Sequence, residues 1–165
     1  MGAVKVNPLL SRSFRIPFKD IEAAHVGPGV EEVLGRAQAR LDALAVESGP
    51  RSYDNTIRVM DDITQEVAES LTPIHHLLSV AETPELREAF NSVLPDIVQF
   101  WSRLPLNEGL WSQLKAFAAT PEAEALAGIQ ARHLEKTLRE FRRAGADRRA
   151  SEQGPGQAAS ASASR

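Results

Sequence analysis

Residues 83–104 read TPELREAFNSVLPDIVQFWSRL, and this stretch decides the fold. Thr83 has the hydroxyl of a helix N-cap, Pro84 suits the first helical turn, and Glu85 favours the positive end of the helix dipole. Behind that start signal Leu86, Phe90, Val93, Leu94, Ile97, Phe100, Trp101 and Leu104 recur at spacings of three and four, the signature of an amphipathic helix. Pro95 falls inside the pattern and predicts a kink there, because proline has no amide hydrogen and its ring crowds the preceding turn.

The same period continues in both directions. Towards the N-terminus, Val30, Val33, Leu34, Ala37, Leu41, Leu44 and Ala45 predict a helix from about Pro28 to Glu47, stopped by Gly49-Pro50. A second helix is expected to begin near Asp54-Asn55-Thr56, with Ile57, Met60, Ile63, Thr64, Val67 and Leu71 as its stripe. Pro73 should kink or split it, with Ile74, Leu77, Leu78 and Ala81 continuing the pattern. Towards the C-terminus, Leu110, Trp111, Leu114 and Phe117 predict a short helix over about Asn107–Ala119. Thr120-Pro121-Glu122 repeats the start signal for a fifth helix, with Leu126, Ile129, His133 or Leu134, Leu138 and Phe141 as its stripe and Gly145 as the left-handed residue that ends it. No stretch alternates with the period of two that marks a half-buried strand.

Two flanks differ. Residues 4–29 hold Pro8, Pro17 and Pro28 and read as an extended arm whose Leu9, Leu10, Phe14, Ile16 and Phe18 lie on the helical body. Residues 154–165 contain no large apolar residue and cannot offset their ordering entropy by burial. The expected architecture is therefore all-α: an irregular helical bundle of about five helices with an extended N-terminal arm over 1–147, and a disordered low-complexity tail over 148–165.

Composition narrows the function. The 165 residues carry a formal net charge of -3, with 42% hydrophobic residues and no cysteine. A mildly acidic chain is poorly suited to phosphate-backbone binding, so no nucleic-acid partner is expected. Lack of cysteine excludes a disulfide scaffold, a thiolate zinc site and a thiol nucleophile. The N-terminus lacks the apolar run of a signal peptide, position 6 is Val where a myristoylation signal needs Ser or Thr, and no membrane span is expected. The expected location is the cytoplasm.

No catalytic, cofactor-binding or metal-ligating residue is assigned. The four histidines are His25, His75, His76 and His133, and none belongs to a His-Glu-x-x-His motif. His75 and His76, as neighbours on a helix, point about 100° apart and do not share a metal easily. Gly27-Pro28-Gly29 reads as a turn rather than a phosphate loop. Glu31-Glu32 and Asp61-Asp62 read as solvated faces rather than a general acid/base pair. Arg139, Arg142, Arg143, Arg148 and Arg149 cluster near a helix C-terminus, whose negative end they complement, with Glu135 and Glu140 among them. The aromatic residues Phe90, Phe100, Trp101, Trp111 and Phe117 read as core, with part of them available as an interface.

An ordered series of short segments adds a resemblance. Asn7-Pro8-Leu9-Leu10, Ile16-Pro17-Phe18, His25-Val26-x-Pro28, Tyr53-Asp54-Asn55-Thr56, His76-Leu77 and Thr83-Pro84-Glu85-Leu86-Arg87-Glu88-Ala89-Phe90-Asn91 come first. Leu94-Pro95, Phe100-Trp101, Asn107-Glu108 and the run His133–Asp147 follow in order. Together they resemble the N-terminal region of the thimet oligopeptidase/oligopeptidase A family of zinc metallopeptidases. The resemblance implies a helical region that packs against a larger catalytic region and encloses a channel open to short peptides. It also implies that zinc and its ligands belong to the catalytic region, so this chain holds no cofactor and its expected partner is that region. Near Asp147 both the apolar pattern and the resemblance stop, which suggests a frameshift or premature end in a family gene; a stand-alone domain with a natural tail is the alternative. In the second case the chain would be a binding module that pairs with itself or with a full-length paralogue.

Overall fold

A computed structural model describes residues 7–11 and 15–147. Six helices carry the fold: α1 (Ala23–Ala45), α2 (Val59–Val80), α3 (Pro84–Arg103), α4 (Glu108–Ala118), α5 (Pro121–Ala125) and α6 (Gly128–Arg143). Single 3-10 turns form at Pro8–Leu10, Phe18–Asp20 and Leu104–Leu106, and a π turn at Asp54–Arg58 leads into α2. No strand occurs among the described residues, so the all-α expectation holds. The expected disordered tail, 148–165, and Phe14 of the arm lie outside the described residues.

The central element is α1, which packs against α2, α3 and α4. Its buried residues Val26, Val30, Val33, Ala37, Leu41 and Leu44 recur at three and four, and they meet Ile63, Val67 and Ile74 of α2 and Val93, Ile97 and Phe100 of α3 in one core. Trp111, Leu114 and Phe117 of α4 close it, with the ring of Phe141 from α6 stacked on Trp111 at 6.0 Å. Each fully buried aliphatic or aromatic side chain contributes about 1.5–3 kcal/mol by leaving water.

One expectation about the prolines needs correction. The first helix starts at Ala23, five residues before Pro28, so Gly27-Pro28-Gly29 is part of α1 and not a turn. Pro73, expected to kink or split its helix, lies inside α2, which is not split, and Pro95, where a kink was expected, lies inside α3. A proline at position i leaves the carbonyl of residue i−4 without its amide partner. Here those residues are Ala24, Glu69 and Asn91, and all three are exposed, so water can replace the missing bond. At Pro28 the preceding residue is Gly27, which has no Cβ to clash with the proline ring. The start of α1 is set instead by His25, whose Nδ1 accepts the Glu22 amide hydrogen at 3.0 Å.

The arm is shorter than expected and ends at Glu22. Asn7 caps the first 3-10 turn by accepting from the Leu9 amide at 3.0 Å, and its Nδ2 donates to the His25 carbonyl at 2.8 Å. Leu9 is buried against α1, while Ile16 is exposed. Gly29 makes this seat: a Cβ there would stand 2.9 Å from Asn7 Nδ2 and 3.1 Å from Leu9 Cδ1. Asn7-Pro8-Leu9-Leu10 and His25-Val26-x-Pro28, far apart in sequence, are the two sides of one contact.

The start signals of α3, α4 and α5 appear where expected. Thr83, Asn107 and Thr120 accept from the amides of Leu86, Leu110 and Ala123 at 3.2, 3.0 and 3.1 Å. Gly145 takes the left-handed conformation (φ 95°) that ends α6. The fifth helix differs from expectation: it divides into α5 and α6 at Gly128, which has φ 60°. Ile129, expected in the apolar stripe, is 88% exposed, whereas Leu134 and Phe141 of that stripe are buried, together with Thr137, and Leu126 and Leu138 pack against the core.

Candidate functional site

The end of α3, the following 3-10 turn, the start of α2 and the middle of α6 surround a half-open cavity of about 430 Å³. Tyr53 stands behind its lining and reaches it through His133. Tyr53 immediately precedes the π turn as its N-cap, and its carbonyl accepts from the Arg58 amide at 3.0 Å. Ser52 and Asn55 fix that start reciprocally: the Ser52 amide donates to Asn55 Oδ1 at 2.9 Å and the Asn55 amide to Ser52 Oγ at 3.1 Å. From there the Tyr53 amide donates to Glu122 Oε1 at 3.0 Å, and its ring meets Phe117 edge-on at 6.3 Å. Its hydroxyl lies 3.2 Å from His133 Nδ1. On the other side of the imidazole, His133 Nε2 stands 3.7 Å from Asp61 Oδ1, an ion-pair distance rather than a hydrogen bond.

Tyr53, His133 and Asp61 therefore form a short polar chain that ties α6 to the start of α2. Nothing in the spacing of residues 53, 61 and 133 announces it, because three separate elements bring them together. The cavity beside it has the Trp101 ring and Pro105 on one side, Phe141 deeper, and Lys136, Glu140 and Asp61 at its rim. Lys136 and Glu140 are paired at 3.8 Å and are both well exposed. The lining offers an aromatic face beside carboxylates, which suits a cation with an apolar stem.

The remaining sequence candidates stay apart. His75 and His76 diverge as expected: His75 meets Phe90 edge-on at 5.1 Å, and His76 lies 4.9 Å from Phe18 of the arm. His25 serves the start of α1. Glu31, Glu32, Asp61 and Asp62 are exposed. Arg139 pairs with Glu135 at 2.5 Å, and Arg142 lies 3.7 Å from Asp147 and 5.8 Å from the Trp111 ring; Arg148 and Arg149 lie outside the described residues. Among the described residues, no three His, Cys, Asp or Glu side chains are placed to hold a metal ion, and no helix is long and apolar enough to cross a membrane. Of the aromatic residues, Phe100, Trp111 and Phe117 are buried, Phe90 is half-buried, and Trp101 is exposed on the outer face of α3.

Residues 30–152, from the first turns of α1 to just beyond α6, match the family described as Neurolysin/Thimet oligopeptidase, N-terminal domain. The chain belongs to this family. Among curated proteins it is similar to the probable cytosolic oligopeptidase A of Arabidopsis thaliana, 31% identical over 134 residues, which is 81% of this chain and 19% of that protein. It is also similar to oligopeptidase A of Salmonella typhimurium (28% over 139 residues, 84% of this chain and 20% of that protein). A third relative is the chloroplastic/mitochondrial organellar oligopeptidase A of Arabidopsis thaliana (30% over 134 residues, 81% of this chain and 17% of that protein). The chain spans about a fifth of the length of these relatives. Relatives of this N-terminal domain thus carry cytosolic and organellar names alike.

Proposed function

We propose that this chain is the non-catalytic N-terminal domain of a zinc metallo-oligopeptidase and works by shape. It walls a channel that admits short peptides and keeps folded proteins from a catalytic region, in the cytoplasm. The observation that carries this reading is the family match, which takes in nearly all of the helical body while spanning only a fifth of the relatives' length. On this reading zinc, which would polarise the scissile carbonyl and activate water, is held by the catalytic region. The residues here do not fit it: the described chain offers no ligand set, and no hydrolytic step is derived through it.

The test is direct. Purified chain incubated with a quenched fluorogenic peptide and zinc should show no chelator-sensitive cleavage. Added to an oligopeptidase A polypeptide lacking its N-terminal fifth, the chain should restore cleavage of a short peptide but not of a folded protein. Chelator-sensitive cleavage by the chain alone sinks the reading, as does failure to restore it.

A second reading has support in the exposed apolar residues of α3: a binding module that pairs with itself or with a full-length paralogue. Sedimentation across a hundredfold concentration range separates the two, since self-pairing predicts a dimer that grows with concentration.

A further inference from the structure

We infer that the outer face of α3, together with the α3–α6 cavity, is the surface on which this domain meets the polypeptide that follows it in its oligopeptidase A relatives, and that the cavity takes a basic side chain of that polypeptide. The inference rests on the proposed function and adds a location and an anchor to it.

Leu94, Val98 and Trp101 are 39%, 54% and 37% exposed and recur at four and three, so they form one continuous stripe on α3. The other large exposed apolar residues, such as Val46, Val80 and Ile129, are scattered over different elements. A stripe at helical spacing on the solvent side is the pattern of a face that has a partner; single exposed residues need none. The stripe leads directly into the cavity, whose wall Trp101 and Pro105 share.

Charge and position select the occupant. Asp61 and Glu140 line the cavity with Trp101; Lys136 stands 3.8 Å from Glu140, whereas the partner of Asp61 is the His133 imidazole at 3.7 Å, so among the described residues no lysine or arginine pairs with Asp61 there. An arginine or lysine entering there would lay its stem on the ring and its charge between carboxylates. The other wall of the cavity is α6, the last helix of the matched region, and the relatives extend for about four fifths of their length outside the match. A polypeptide that continues from the end of α6 is held at high effective concentration beside this surface.

The experiment uses the full chain and the Arabidopsis thaliana cytosolic oligopeptidase A produced without its N-terminal fifth. Binding is read by fluorescence anisotropy and function by restored cleavage of a short peptide. Val98→Asp and Trp101→Ala should each weaken binding at least tenfold, with helicity unchanged by circular dichroism. Val80→Asp, at a more exposed position at the end of α2, should change it less than twofold. The double variant Asp61→Asn, Glu140→Gln should weaken binding severalfold and flatten its salt dependence. Restored cleavage that is insensitive to Val98→Asp overturns the inference and leaves the proposed function standing. A dimer of the chain alone that Val98→Asp dissolves also overturns it, since the stripe would then serve a second copy. Absence of any complex overturns it together with the proposed function.

Discussion

Gly35 and Gly109 both lie in helices, yet replacing each by alanine should move stability in opposite directions. Gly35 sits mid-way along α1, exposed, and a Cβ built there meets nothing within 4 Å. Alanine then gains only the reduced backbone freedom of the unfolded chain, about 0.5–1 kcal/mol. For a domain of this size that raises the melting temperature by about 1–3 °C. Gly109 is in the first turn of α4, where α4 crosses the end of α1. A Cβ there would stand 2.7 Å from Ala45 Cβ and 3.0 Å from the Ala45 carbonyl oxygen. Both atoms are fixed to backbone, so neither can swing aside. The junction is also held by Gln113, whose Nε2 donates to the Glu47 carbonyl at 3.0 Å, and by the Asn107 cap. Overpacking of this kind costs about 1–3 kcal/mol, against a propensity gain of at most about 1 kcal/mol. The Gly109→Ala variant should therefore melt several degrees below the native chain and the two alanine variants should differ by about 2 kcal/mol. Urea titration and thermal circular dichroism measure both. A Gly109→Ala variant as stable as the Gly35→Ala variant would refute the close approach of α4 to α1.

Three further outcomes follow from the packing and the caps. Phe117, fully buried between Tyr53 and the core, should cost about 3–5 kcal/mol as alanine, while alanine at Ile129, expected in the core from sequence but exposed, should stay within about 0.5 kcal/mol in the same titration. The Glu85 carboxyl is held below its ordinary pKa by its own backbone amide and then by the Thr83 hydroxyl. A lowered pKa in the folded state means a contribution that is present at neutral pH and is lost as pH falls through that value; Thr83→Ala should shift the carboxyl back up, read by NMR titration, and cost about 1 kcal/mol of cap. Glu122→Ala should leave the Tyr53 amide without its acceptor, so its hydrogen exchange should accelerate while exchange in α3 is unchanged.

The helix starts were legible because a cap is a local event. Thr83-Pro84-Glu85, Asn107 and Thr120-Pro121-Glu122 each place an acceptor within three residues of the amide it satisfies, and Gly145 follows the same logic at the other end. Pro28 was misread as a helix start because the cost of a proline inside a helix depends on where the orphaned carbonyl points. Gly128 was missed because a left-handed glycine inside an apolar pattern looks like any other glycine. The candidate site was the least legible: Trp101 is read as core from its stripe, and Tyr53, Asp61 and His133 are ordinary residues until α2 and α6 bring them within 4 Å.

By itself the sequence determined the helical class, the sites of most helix starts and the family resemblance, all of which rest on spacings shorter than a few turns or on ordered short segments. Only the tertiary structure decided that α1 runs through Pro28, that Gly29 and Gly109 are points of close approach, and that α3 keeps an apolar face in solvent. The physical reason is that periodicity tells which residues share a face of a helix, whereas what covers that face is set by packing between elements remote in the chain.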